Sequence, residues 1–274
     1  MFQNNVDATI KVVAFLFLMY NVFVLIYIIQ DEEMNKIPTV SEVVSSGLRI
    51  AVAVPLERSI RDVAFLSLVP ILSKGWGYLG GNYGRTDMAR NHIAEELLSS
   101  DYTHVLMMDS DHIHPEDLVE RLARWVMADP SKKVIAGLNF RRSAPYDPCV
   151  YMDTEDGLAA PLNWPNGLGM ADAVGFGCVL IEKSVFQKLN RPYFAYTYTD
   201  EGGSQSEDIY FSLQCRKMGI EIWCDTTTTS PHLTDRLIAE KDFRYYVEKH
   251  PEEVILPKDT PSQISLPNLG MDMG

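Results

Sequence analysis

A chain of 274 residues has room for one large α/β domain or two small ones, and its 46% apolar and 22% charged residues are ordinary for a packed globule. The formal net charge of −13 argues against a nucleic-acid surface, because neutralising phosphates takes clustered Lys and Arg. The same balance leaves a phosphorylated small molecule open as a ligand, since a metal ion can supply the missing positive charge.

After a polar start, Val12 to Ile29 carries no charge and only Asn21 as a strongly polar residue. That length and composition predict an N-terminal transmembrane helix acting as a single-pass anchor over residues 1–30. Lys11 stands at one end, and the side of the membrane is not encoded. Residues 31–47 read as an acidic juxtamembrane linker.

A globular domain is expected over 48–250. Arg49 to Val54 is a β-rich run closed by Pro55, which the interior of a central strand does not tolerate. Arg58 to Ser73 has helical spacing, and Lys74–Gly75 ends it. Trp76 to Leu79 is a short strand and Gly80 to Gly84 a loop. Thr86 or Asp87 caps a helix to about Ser100 with Ile93, Leu97 and Leu98 on one face. Thr103 to Met108 is a buried strand, Glu116 to Met127 a helix led by Pro115, and Lys133 to Phe140 another strand. This alternation predicts a mostly parallel, doubly wound sheet.

Beyond Arg141 and Arg142 the elements shorten. Cys149 to Met152 and Leu162 to Gly169 are strand-like, Ala171 to Ile181 is a strand around Gly175 and Gly177, and Lys183 to Leu189 is a short helix. Tyr193 to Gln205 is a glycine-containing loop, expected to close over a bound ligand. Ser206 opens a helix through Lys217, Ile220 to Cys224 is the last strand, and Glu240 to Lys249 is a helix. Residues 251–274 form a proline-rich tail. The four cysteines show no C-x-x-C or zinc spacing, and Cys178 and Cys215 fit buried free thiols.

The strand Val105 to Met108 stops abruptly at Asp109, Ser110 and Asp111. Carboxylates two apart on extended chain lean the same way, and their repulsion is relieved by a divalent cation such as Mn²⁺ or Mg²⁺. Glu207 and Asp208 follow at a helix start, where carboxylates also serve as caps. His232 stands just past the last strand. Arg85 and Arg90, near another helix start, are suited to phosphate oxygens.

In this order, Val54–Pro55, Ala89–Arg90–Asn91, Asp109–Ser110–Asp111, the run Val174 to Phe186, the run Ser206 to Gly219 and His232 resemble the glycosyltransferases of GT-A fold, especially the family-two-like group. The resemblance covers most of Leu48 to His232. It implies a nucleotide-diphosphate sugar as donor, held through Mn²⁺ or Mg²⁺ at Asp111 with His232 completing the metal site. Asp109 would contact the ribose or a metal-bound water, Pro55, Arg85, Arg90 and Gly175 would line the donor site, and Glu207–Asp208 would be the catalytic pair with Asp208 as base. Carbohydrate, lipid or protein would be the acceptor. His112 and His114 are not part of that family's pattern. Other readings stay open: an aspartate-nucleophile phosphatase, which expects its Asp-x-Asp on the first strand, a metal-dependent nucleotidyltransferase, and a catalytically silent sugar-binding protein.

Overall fold

The computed structural model describes residues 36–253 apart from 57–59, 83, 156, 199–202 and 235–236. In chain order it runs α1 (Val40–Ser45), β1 (Ile50–Leu56), α2 (Asp62–Ser73), β2 (Gly77–Asn82), α3 (Thr86–Ser99), β3 (His104–Met108), α4 (Leu118–Ala128) and β4 (Val134–Leu138). Short strands follow: β5 (Val150–Thr154), β6 (Gly157–Ala159), β7 (Leu168–Ala171) and β8 (Ala173–Val174). Then come β9 (Cys178–Glu182), α5 (Lys183–Lys188), β10 (Thr197–Tyr198), β11 (Ser204–Gln205), α6 (Glu207–Lys217) and β12 (Ile222–Thr229). The pair β13 (His232–Leu233) and β14 (Leu237–Ile238) precedes α7 (Glu240–Lys249) and a 3₁₀ turn at Pro251–Glu253.

Seven strands form the main sheet in the order β2-β1-β3-β9-β4-β12-β7. β1 lies parallel to β2 and β3, and β4 parallel to β12. β9 is antiparallel to both β3 and β4, and β7 is antiparallel to β12. The expected mostly parallel sheet is therefore corrected to a mixed α/β sheet. The reason is non-local: residues 175–177 break the single strand expected over Ala171 to Ile181, and its second half enters the middle of the sheet as β9.

Alternate residues of each inner strand face opposite layers, as the two-residue period of a strand requires. Ala51, Ala53, Val105 and Met107 pack with Ile93 and Leu97 of α3 and Phe211 of α6. Ile50, Val52, Leu106 and Met108 pack with Leu68 of α2 and Leu122 and Trp125 of α4. Burial on both faces is why these strands read as continuous apolar runs rather than alternating ones. α1 lies inside the stretch read as a linker. Thr39 and Glu42 close a capping box there, and Val43 is fully buried in the second layer.

β2 extends through Gly80 and Gly81 because β1 supplies backbone partners as far as Leu56 opposite Asn82. Pairing with a neighbouring strand outweighs the turn preference of glycine. Pro55 is tolerated in β1 because β3 pairs with β1 only as far as Ala53.

The expected single-pass anchor, and with it a membrane as partner, is corrected. No helix among the described residues is long and apolar enough to cross a membrane. α3, at 14 residues, spans only about 21 Å at 1.5 Å per residue, short of a hydrocarbon core of about 30 Å. Residues 12–29, on which the expectation rested, lie outside the described residues.

Candidate metal and substrate site

Strands β1, β3, β4 and β12 all point the same way, so their carboxyl ends share one edge of the sheet, where open α/β sheets bind ligands. Pro55 lies next to the last residue of β1, Asp109 follows β3, Phe140 follows β4 and His232 follows β12. β9 runs the other way and begins at this edge, with Cys178 opposite Met108. Backbone bonds join the loops. Asp109 N–H donates to Gly177 O (2.9 Å), Ile113 N–H to Pro231 O (2.9 Å) and Leu233 N–H to Asp111 O (2.7 Å). His112 and His232 form an isolated antiparallel bridge.

That bridge brings Asp111, His112 and His232 together, with one potential ligand atom from each lying within 4.8 Å of the others. His112 Nδ1 is 3.1 Å from Asp111 Oδ1, and His232 Nε2 is 3.1 Å from Asp111 Oδ2. The other nitrogen of His232, Nδ1, lies 3.0 Å from Phe140 O. A carbonyl only accepts, so Nδ1 carries a proton and donates. Nε2 then meets the carboxylate either as an imidazolium N–H or as a lone pair sharing a cation with it. An imidazole fixed by a backbone carbonyl on its far side is the arrangement of metal-ligating histidines. One carboxylate and two imidazoles are a donor set suited to a divalent metal. Burial alone would raise the Asp111 pKa, but the bonds from His112 and His232 outweigh it and hold the carboxyl far below its usual range.

His114 has a different task. Its Nε2 donates to Asp109 O (3.0 Å) and its Nδ1 accepts from the Ser230 hydroxyl (3.0 Å), so the buried neutral ring is fully satisfied. Burial pushes its pKa down to about 3. It braces the backbone at Asp109.

Beside the cluster sits Arg90, 2% exposed, on the inner face of α3. Nη2 donates to Asp109 Oδ1 (2.6 Å), Nη1 donates to Glu207 Oε1, and the guanidinium lies 4.8 Å from the Phe176 ring centre. A planar fork can serve two carboxylates at once, which an ammonium cannot. Burial pushes the Glu207 pKa up, with Asp208 adding to it and Arg90 opposing. Tyr196 also hydrogen-bonds Glu207. Asp208 turns one oxygen to the Ser206 hydroxyl and to Ile209 N–H (2.8 Å). Its other oxygen lies 3.7 Å from where a Cβ on Gly175 would stand, so the Gly175 backbone forms a wall beside that carboxylate. A Cβ on Gly175 would also come within 2.7 Å of Cys149 Cβ, which explains the glycine.

The sequence-derived candidates thus separate. Asp111 and His232 meet directly, and Arg90 joins Asp109 to Glu207. Arg85 is exposed, pairs with Asp87 (2.8 Å) and covers the Tyr196 ring at 5.4 Å. Pro55 is the penultimate residue of β1, near the same edge. His112 lies outside the family pattern the sequence resembles, yet the bridge to His232 brings it into the cluster beside Asp111. Arg142 also went unremarked as a site residue, although Nη1 lies 3.2 Å from Asp111 Oδ2. Its place directly after a strand ending at this edge was the available signal. The expected lid is only partly described, and its first residues, Tyr193 and Phe194, are core residues packed against Phe186. All four cysteines are free thiols, and burial pushes Cys149 up to about 12.

Two other features lie apart. His250, half-buried, and the exposed Glu252 and Glu253 form a cluster after α7. A cavity of about 630 Å³ opens at the opposite edge of the sheet, beside Arg49, His104, Lys133 and Glu182. Its cations are engaged within the protein, Lys133 with Glu182 (3.1 Å) and Arg49 with Asp101 O (2.5 Å).

No protein-family model matches the chain, and no curated protein matches it in sequence. By structure the chain is similar to A197 from STIV, with a TM-score of 0.52 and 16% identity over 79% of this chain and 98% of that one. It is also similar to GalNAc-T7 solved with UDP, GalNAc and Mn²⁺, with a TM-score of 0.44 and 12% identity over 73% of this chain and 48% of that one. Similarity extends to CMP:2-keto-3-deoxy-manno-octonic acid synthetase complexed with CTP, with a TM-score of 0.41 and 12% identity over 73% of this chain and 96% of that one. These are remote likenesses of fold.

Proposed function

We propose that this chain is a divalent-metal-dependent glycosyltransferase that moves a sugar from a nucleoside-diphosphate donor to an acceptor hydroxyl. The observation that carries the reading is the Asp111–His112–His232 cluster, with His232 locked by Phe140 O, at the sheet edge that also holds Asp109, Glu207 and Asp208. Asp111 and His232 would hold the metal, with His112 as a third ligand. Two imidazoles favour Mn²⁺ over Mg²⁺, which prefers oxygen and water. When bound, the ion stabilises the charge left on the departing diphosphate.

The protein's own groups do the rest. Arg90 fixes one oxygen of Asp109 and leaves the other to accept from the donor's ribose. Pro55, Gly175 and Arg85 line the donor's approach. As the acceptor oxygen bonds to the anomeric carbon, the carbon–phosphate oxygen bond breaks and its electron pair leaves on the diphosphate. Asp208 takes the acceptor's proton, since a hydroxyl of such high pKa needs a carboxylate within hydrogen-bond reach. Glu207, committed to Arg90, positions rather than reacts. Carbohydrate, lipid and protein hydroxyls are all within this chemistry.

The test incubates purified full chain with Mn²⁺ and a panel of sugar nucleotides and acceptors, scoring nucleotide release and the mass of the product. Sugar transfer that disappears in Asp111→Asn and His232→Ala supports the reading. Pyrophosphate release from a nucleoside triphosphate, with no transfer from any sugar nucleotide, replaces it with nucleotidyl transfer.

A further inference from the structure

Arg142 and His232 address the same oxygen. Arg142 Nη1 lies 3.2 Å and His232 Nε2 3.1 Å from Asp111 Oδ2. The guanidinium therefore occupies the electrostatic role that a cation plays at this carboxylate. The base of its loop is firmly set: Arg141 N–H donates to Asp147 O (2.9 Å), and Phe140 bridges Pro148. The side chain itself is 61% exposed, so turning its head would not disturb the core. It comes two residues after Phe140, whose carbonyl orients His232, and so stands on the exposed side of the cluster. Its neighbour Arg141 faces Asp147 instead, at 3.8 Å.

Resting on the transferase reading above, we propose that Arg142 is a metal-exchanged phosphate ligand. It neutralises Asp111 until a divalent ion takes that carboxylate, and then turns its fork to the diphosphate of the donor. Guanidinium and metal compete for one oxygen, so each weakens the other's hold on it. Once the metal is seated, metal and guanidinium both attract the same phosphates. Metal binding thereby prepares donor binding, and the donor is captured poorly without metal.

The opposite signs of these two effects make the proposal testable by titration of the full chain, with no turnover required. Arg142→Ala is expected to bind Mn²⁺ more tightly in the absence of nucleotide. The gain is about two- to fivefold, the scale of an exposed ion pair. At saturating Mn²⁺, the same variant is expected to bind nucleoside diphosphates and inorganic pyrophosphate more weakly, on the order of tenfold, as loss of a charge-assisted bond implies. Arg142→Lys should retain part of the competition with metal and lose most of the diphosphate affinity, because it lacks the fork. Arg141→Ala controls for net charge. Unchanged or weaker Mn²⁺ binding by Arg142→Ala overturns the proposal, as does unchanged diphosphate affinity or an equal pair of shifts in Arg141→Ala. If wild-type protein binds no Mn²⁺ at all, the metal-dependent reading itself falls.

Discussion

Replacing Arg90 with Met removes a cation that pairs with both Asp109 and Glu207 while keeping a long side chain. Breaking a buried ion pair by deleting one partner costs about 3–5 kcal/mol, because the remaining charge loses its compensation. Asp109 keeps 25% of its side-chain surface in solvent and rehydrates, whereas Glu207 keeps 7% and does not. The expected loss is therefore near the lower end, about 3 kcal/mol, or roughly 6–12 °C in Tm for a protein of this size. The loss depends on pH. The Glu207 pKa is already raised by burial in the presence of Arg90, and it rises further without the guanidinium. A carboxyl whose folded pKa exceeds its unfolded value is protonated first in the folded state. Its penalty is thus absent below the unfolded pKa and grows as pH climbs through the folded one, by up to about 1.4 kcal/mol per unit. Urea unfolding followed by tryptophan fluorescence should show a wider gap between wild type and Arg90→Met at pH 8 than at pH 5. Arg90→Lys should recover part of the loss. A gap below about 1 kcal/mol, or one equal at both pH values, refutes the idea that this guanidinium neutralises two acids.

His104 and Gly177 give further checks. Burial pushes the His104 pKa down to about 4, with Glu182 opposing and Lys133 assisting, from an ordinary 6.5. The unfolded chain takes the proton first, so stability should fall as pH drops from about 6.5 towards 4, by at most roughly 3 kcal/mol, and His104→Gln should flatten that slope in urea midpoints. At Gly177, a Cβ would stand 2.5 Å from Cγ of Asn139, which is itself buried and bonded to Gly137 O (3.0 Å). Gly177→Ala should cost about 1–3 kcal/mol by overpacking, and adding Asn139→Ala should relieve the clash, so that the double variant loses less than the sum in chemical denaturation.

Much of the architecture is legible in the chain because its signals are local. β3 is a continuous apolar run because both its faces are covered, and α4 shows its buried stripe at Leu118, Leu122 and Trp125. The order of Asp111, Glu207–Asp208 and His232 can be read directly, and two of these residues meet at one cluster. What stays hidden depends on distant partners. Nothing near Cys178 announces that β9 will run antiparallel between β3 and β4. Nothing near Arg90 announces a carboxylate 117 positions later that takes half of its fork. Resemblance pointed Arg90 towards a nucleotide, while its observed partners are two acids. His112 joins the cluster through a backbone bridge to residue 232, a pairing 120 positions away that nothing local announces.

The central position of β9 also bears on how the molecule comes into being. β3 and β4 do not pair with each other; each is completed by a strand that follows a long excursion of short elements. A nascent chain ending at Leu138 therefore holds two open strand borders side by side, a hazard for association with other chains. The amide of Asp109 finds its acceptor, Gly177 O, only when the segment leading into β9 has docked. His232 reaches Asp111 later still, after β12 has joined β4. Metal-binding competence should consequently arise late during synthesis, as a product of the last sheet closures. Cations that bind the finished cluster would then act as a latch on a folding reaction dominated by long-range contacts.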